Sequence, residues 1–199
     1  MELFEFDATV NILPLDGIVN YLGIILEPAS AQNYFEKILE TVPFKNDEVV
    51  IFGKRIVTKR KVAWYGDSNF AYTYSNTTKQ ALGWTKELLE LKNTIEEKTQ
   101  STFNTCLINL YHDGNEGMGW HSDNEKTIKK DSCIASLTFG AERKFLLKHK
   151  KTNQTVSIPL QNGSLLAMKG ATQSNWLHSI PKTTKVNKPR INLTFRLMI

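Results

Sequence analysis

Cysteine is scarce in this chain: there are two in 199 residues, Cys106 and Cys133, both inside apolar strand-like runs. A disulfide scaffold is thereby excluded, and buried free thiols in a reducing compartment are the expected state. No apolar run approaches the roughly 18 residues that a membrane helix needs. The opening Met-Glu-Leu-Phe-Glu-Phe-Asp carries acids where a secretory signal is basic. A soluble intracellular protein without a membrane partner is therefore expected, cytoplasmic in a bacterium and nuclear in a eukaryote. Repeats, low-complexity tracts and linker-like segments are missing too, and nothing demands more than a monomer. Acids are outnumbered by bases, 20 to 25, leaving a formal charge of +5. That excess permits a polyanionic partner without requiring one.

What is present fits one globular domain over residues 1–199, because 41% apolar and 23% charged residues are ordinary proportions and the length suits one substantial core. Pro28 and Ser30 open a helix through about Glu40, with Tyr34, Phe35, Ile38 and Leu39 on one side and Pro43 ending it. A second helix, Thr85 to Lys98, places Leu88, Leu91 and Ile95 at helical spacing. Both stripes read as helices covering one face of a sheet. Residues 16–26 read as a strand or as an arm packed on the core.

From Thr102 onward strand patterns dominate: Asn104–Tyr111, Cys133–Phe139, Arg143–His149, Thr155–Leu160, Ser164–Met168, Trp176–Ile180 and Arg190–Ile199. Asp113-Gly114, Gly140, Asn153 and Asn162-Gly163 separate them as turns. The expected class is mainly β (α+β), a double-sheet jelly roll whose mouth holds a ligand. Its core would span residues 101–199, with residues 1–100 as an N-terminal extension and lid.

Only four histidines occur. His121 and Asp123 are two apart, so on an extended segment both leave the same face. His178 lies 57 positions beyond His121, and closure of a jelly roll would return it to their side. Two imidazoles and a carboxylate on one face of a metal, with other positions open, is the arrangement of non-haem Fe(II) oxygenases. His112 and His149 have no such context and read as surface or satisfied structural residues.

In Arg190-Ile-Asn-Leu-Thr-Phe-Arg196, polar residues 190, 192, 194 and 196 alternate with apolar 191, 193 and 195, which reads as a strand with one face in a core and the other in a polar cavity. Arginines there need anionic partners suited to a planar fork. At about 3.3 Å per residue the two start roughly 20 Å apart, a span from which both could reach a short diacid.

Upstream, Val49–Phe52, Gly53 and Lys54–Lys61 read as a hairpin with a Phe-Gly tip. Its basic side chains, Lys54, Arg55, Lys59, Arg60 and Lys61, are by composition a solvated face. With an aromatic at the tip they could instead hold phosphates while Phe52 enters a base stack, and Gly53 would allow the tight turn. Tyr72 and Tyr74 share one strand face, either lining a flat pocket or packing across strands. The lysines at 148, 150, 151, 182, 185 and 188 read as solvated, some within reach of phosphates.

His121-x-Asp123, His178-Ser-Ile-Pro, Pro189-Arg190-x-Asn192-x-Thr194-x-Arg196 and Asn109-x-Tyr111, in that spaced order, resemble the AlkB family of Fe(II)- and 2-oxoglutarate-dependent nucleic-acid demethylases. Within it they are most similar to the branch with the animal double-strand DNA repair enzymes, from about residue 48 to the C-terminus. The resemblance implies a double-stranded β-helix core with N-terminal helices and a nucleotide-recognition hairpin. It implies Fe(II) on His121, Asp123 and His178, and 2-oxoglutarate and O2 as co-substrates. Arg190 and Arg196 would secure the diacid, with Asn109, Tyr111, Asn192 and Thr194 donating hydrogen bonds; which arginine takes which end stays open.

The resemblance further implies a finger carrying Phe52, Gly53 and Lys54, and a flipped base held between Tyr74 and His121, with Tyr72 nearby. Glu125 would attract the positive charge of 1-methyladenine or 3-methylcytosine, the alternative being an exposed loop acid. Asn124 stands where relatives carry an acid. The implied reaction is demethylation of alkylated DNA, preferring duplex, with release of formaldehyde, succinate and CO2. RNA or single strands, a protein side chain, or nucleic-acid binding without catalysis are the competing readings.

Overall fold

Helical and strand periods resolve much as those patterns predict, except that Leu39, expected on the packing side of the first helix, is exposed there while Ala31, Phe35 and Ile38 are buried. The computed structural model describes residues 9–51, 54–67, 71–74 and 77–199. Helix α1 spans Pro28–Thr41, with proline in its first turn, and stops at extended Val42, before Pro43. Helix α2 spans Lys86–Thr99; the Thr85 side chain caps it by accepting from the Leu88 N–H, and Gln100 closes it in the left-handed region.

Seven antiparallel strands form the larger sheet. They are β1 (Ile18–Ile24), β2 (Lys45–Ile51), β3 (Lys54–Gly66), β6 (Thr105–Tyr111), β8 (Ile134–Gly140), β11 (Ser164–Lys169) and β13 (Arg190–Arg196), in the order β1-β11-β8-β13-β6-β3-β2. The smaller sheet is β10-β9-β12-β7, from Thr155–Leu160, Arg143–His149, Trp176–Ile180 and Met118–His121. Strands β4 (Ala71–Tyr74) and β5 (Thr77–Gln80) pair with each other. A four-residue helix α3, Thr172–Asn175, precedes β12. The chain is thus mainly β with a two-sheet core, and of residues 16–26 the stretch Ile18–Ile24 forms an edge strand of the larger sheet.

Alternation along the strands divides the interior in two. Ile108, Leu110, Leu137, Ile191, Leu193 and Phe195 pack under Phe35 and Ile38 of α1 and Leu88, Leu91 and Ile95 of α2. On the other face Tyr21, Ile134, Leu166 and Met168 meet Phe145, Leu147, Ile158 and Trp176 of the smaller sheet. Burial of these side chains, about 1.5–3 kcal/mol each, is what holds the sheets together. Beside this second cluster, whose Phe145, Met168 and Ile180 reach its lining, lies a cavity lined by the polar face of β13.

Candidate active site

The cross-strand pairing of β12 with β7 sets His178 directly opposite His121. Their ring centroids are 4.2 Å apart. Asp123 lies just past the end of β7, where its N–H donates to Gln173 Oε1 at 2.9 Å, so α3 fixes the backbone that strand pairing has released. One donor atom from each of His121, Asp123 and His178 falls within 4.8 Å of the others. A single ion can accept all three.

Polar neighbours aim these donors. His121 Nδ1 lies 2.9 Å from the Gly119 carbonyl oxygen. A hydrogen bond to that oxygen requires the proton on Nδ1, which leaves Nε2 with a free lone pair. Arg196 grips Asp123 Oδ2 through Nε at 3.1 Å and Nη2 at 2.7 Å. The other oxygen, Oδ1, faces His121 Nε2 at 3.9 Å. Burial works against the Asp123 carboxylate, yet Arg196, His178 and His121 hold its pKa down to about 2. Burial, then the field of His121, pushes His178 down to about 3, with Asp123 opposing. Both are unprotonated at neutral pH, the form a metal requires.

The three donors open onto a cavity of about 870 Å³. Arg190, Asn192, Thr194 and Arg196 all line it, as their alternation predicts. Arg190 is only 1% exposed. Its Nη2 donates to Thr138 Oγ1 at 2.9 Å and to Asn192 Oδ1 at 2.6 Å. Asn192 in turn donates to Thr194 Oγ1 at 3.0 Å. Arg190 Nε and Nη1 are buried without a hydrogen-bond partner, and no described residue forms an ion pair with this guanidinium. Burial, despite an opposing effect of Tyr111, lowers its pKa to about 10, which still leaves it charged at neutral pH. A buried cation with two idle N–H groups calls for an anionic acceptor, and a carboxylate of a small diacid fits. Tyr111 underlies it, its ring centroid 5.5 Å from the Arg190 Cζ. The two arginines differ in their partners: Arg196 is engaged by a metal-ligand carboxylate, whereas Arg190 forms no ion pair with a described residue.

The cavity lining also includes Asn109, beside Asn192 on the neighbouring strand, and Trp64, Leu82, Met118, Ile180 and Glu125. Asn124 is exposed and is not part of the wall. Lys54 begins β3, and Tyr72 and Tyr74 lie on β4 opposite Lys79 and Thr77. Phe52 and Gly53 lie outside the described residues. His149 is a buried histidine away from the cavity, its Nδ1 accepting from the Thr152 N–H at 3.1 Å and its Nε2 lying 3.3 Å from an Asp16 carboxylate oxygen. His112 is exposed and contacts Glu116.

Two arginines have places that the sequence reading did not foresee. Arg60, expected on a solvated basic face, is buried in the cavity wall and ion-paired with Asp47. An opposite charge in the adjacent strand was the available signal, but only the register shows that the two meet. Arg143 is also buried and ties the loop before β7 in place, donating to the carbonyl oxygens of Asp113 at 3.2 Å, Glu116 at 2.8 Å and Pro181 at 2.8 Å.

Comparison with known proteins places this geometry in context. The model of the 2OG-Fe(II) oxygenase superfamily matches residues 18–196. Alpha-ketoglutarate-dependent dioxygenase alkB homolog 3 of Bos taurus is 40% identical over 176 residues, 83% of this chain and 61% of the relative. The chain thus spans about three fifths of that relative's length. The Homo sapiens alkB homolog 3 is 40% identical over 201 residues, covering 96% of this chain and 69% of the relative. DNA oxidative demethylase ALKBH2 of Homo sapiens is 36% identical over 195 residues, covering 92% and 75%. The solved structure of OsALKBH1 superposes with a TM-score of 0.60 over 92% of this chain and 99% of its own, at 16% identity, a likeness of fold.

Proposed function

The chain belongs to the 2OG-Fe(II) oxygenase superfamily, and from that membership we propose that it is an oxidative demethylase of N-alkylated bases in nucleic acid. The observation that carries the reading is one cavity lined both by a three-donor metal set and by the idle N–H groups of buried Arg190. Similarity to a protein named a DNA oxidative demethylase supports the substrate class. No helix among the described residues is long and apolar enough to cross a membrane.

Fe(II) held by His121, Asp123 and His178 would supply the activation of O2 that converts 2-oxoglutarate to succinate and CO2 and delivers an oxygen atom to a substrate C–H bond. Arg196 and Gln173 keep Asp123 turned toward that position, and Gly119 keeps the His121 lone pair there. Arg190 takes a carboxylate of the diacid on Nε and Nη1, while Asn192 and Thr194 hold its far side. Asn109 and Tyr111 complete that seat. Met118, Trp64, Leu82 and Ile180 restrict water around the reacting carbon.

Glu125, in the cavity lining, suits bases made cationic by methylation, 1-methyladenine and 3-methylcytosine, because its carboxylate can accept from the exocyclic amine. Hydroxylation of the N-methyl carbon gives an N-hydroxymethyl base, which returns its proton, sheds formaldehyde and leaves the unmodified base. The fuller reading is repair of alkylated DNA as duplex, with the β2–β3 hairpin and Phe52 opening the stack. The test is formaldehyde release from a duplex oligonucleotide containing 3-methylcytosine, with Fe(II) and 2-oxoglutarate omitted in turn. Release that needs both is expected; release that survives either omission, or none with both present, overturns the proposal.

A further inference from the structure

The hairpin brings a cation into the cavity through an irregularity in its pairing. Strand β2 pairs Asn46 with Lys61 and Glu48 with Val57, so Asp47 alone faces Thr58, Lys59 and Arg60. This bulge is fastened internally: Asn46 Nδ2 donates to the Thr58 carbonyl at 2.9 Å, and Thr58 Oγ1 donates to the Arg60 carbonyl at 2.8 Å. A bulge re-aims the side chains beside it. Asp47 and Arg60 both end up in the cavity wall, 5% and 6% exposed. Arg60 Nη2 meets Asp47 Oδ2, and Arg60 Nη1 meets Asn109 Oδ1.

The chemistry of that second contact decides how Asn109 stands. An asparagine amide has two ends of almost equal shape, one accepting and one donating. A guanidinium has donors only, so the end beside Arg60 must be the oxygen. The Nδ2 group, with two N–H bonds, is then the end left for an acceptor in the cavity. Without Arg60 the amide could turn over and present its oxygen to a carboxylate, which repels it.

We propose that Arg60 is a positioning residue for 2-oxoglutarate: held by Asp47 at the bulge, it orients Asn109 so that N–H rather than oxygen meets the bound diacid. The inference rests on the reading of Asn109 and Arg190 as the diacid's seat. It assigns the innermost base of the hairpin to the co-substrate and leaves the outer basic residues to phosphates.

The test is a calorimetric titration of 2-oxoglutarate into anaerobic Fe(II)-loaded protein, for the wild type, Arg60→Met, Asn109→Ala and the double variant. Each single change is expected to raise Kd about tenfold, the worth of one well-placed hydrogen bond to a charged group, and the double to raise it no further. Additional loss from Arg60→Met in the Asn109→Ala background overturns the proposal, because Arg60 would then act on the diacid by another route. Asn109→Asp keeps an acceptor for Arg60 and removes the N–H, so it is informative even if Arg60→Met fails to fold. It is expected to retain thermal stability and lose 2-oxoglutarate affinity; unchanged affinity overturns the proposal. A wild-type protein that binds no 2-oxoglutarate refutes the co-substrate seat itself, whereas tight wild-type binding with an unaltered Arg60→Met constant refutes only the role of Arg60.

Discussion

Arg190 is a buried guanidinium whose Nε and Nη1 have no hydrogen-bond partner. Arg190→Met keeps most of the volume and removes the charge, so KM for 2-oxoglutarate should rise on the order of 100-fold through loss of two charge-assisted bonds. Steady-state kinetics at saturating oxygen check this, and an unchanged KM would place the diacid elsewhere. His178 gives a pH signature in the metal-free protein. Its folded pKa of about 3 lies below the ordinary 6.5, so the unfolded chain takes up a proton that the folded one refuses. Stability should be constant above the ordinary value and decline as pH falls from there toward 3. Asp123, held at about 2 against an ordinary 3.8, adds stability present above 3.8 and lost as pH drops toward 2. Urea denaturation of chelator-treated protein from pH 8 to 4 measures the upper window. His178→Asn should flatten it, and a flat wild-type profile would contradict the burial of His178.

At the scale of elements, the loop entering β7 is locked to the segment after β12. The Gly114 N–H donates to the Val186 carbonyl and the Thr183 N–H to the Gly114 carbonyl, both at 2.8 Å. A Cβ at Gly114 would lie 2.2 Å from the Thr183 carbonyl oxygen and 2.8 Å from that of Val186. Gly114→Ala must therefore displace backbone, at about 1–3 kcal/mol in chemical denaturation. It should also weaken Fe(II) binding, because this loop leads into His121. Unaltered stability would mean that the loop is free to move. Sequence alone conveyed Gly114 only as a turn residue, since the partner segment is some 70 positions away.

The β13 face, by contrast, was readable at once, because a period of two directly assigns residues 190, 192, 194 and 196 to one side. So were both helices, whose boundaries differ by a residue or so from the expected ones. What the pattern could not convey was partnership. Arg196 grips Asp123, 73 positions away, and Arg60 turns inward through a bulge whose register no local pattern encodes. Gln173 orients a metal ligand from a helix too short to show helical periodicity.

Across the whole molecule, strands of both sheets line the cavity, and the hairpin strands β2 and β3 that extend the larger sheet contribute Asp47 and Arg60 to it. A net charge of +5 is compatible with a polyanionic partner. If Phe52 opens the duplex, Phe52→Ala should reduce demethylation of a methylated duplex at least about tenfold while single-stranded substrate is turned over nearly as before, because an unpaired base needs no unstacking. Equal losses on both would favour RNA or single strands as the natural substrate.

The central claim is that His121, Asp123 and His178 hold one iron beside a diacid anchored by Arg190. Anomalous diffraction at the iron edge, from crystals grown anaerobically with Fe(II) and 2-oxoglutarate, tests it most directly. One iron peak bounded by those three side chains, with a carboxylate of 2-oxoglutarate on Arg190 Nε and Nη1, is the predicted result. Iron bound elsewhere, or a diacid that leaves Arg190 without a partner, would contradict it.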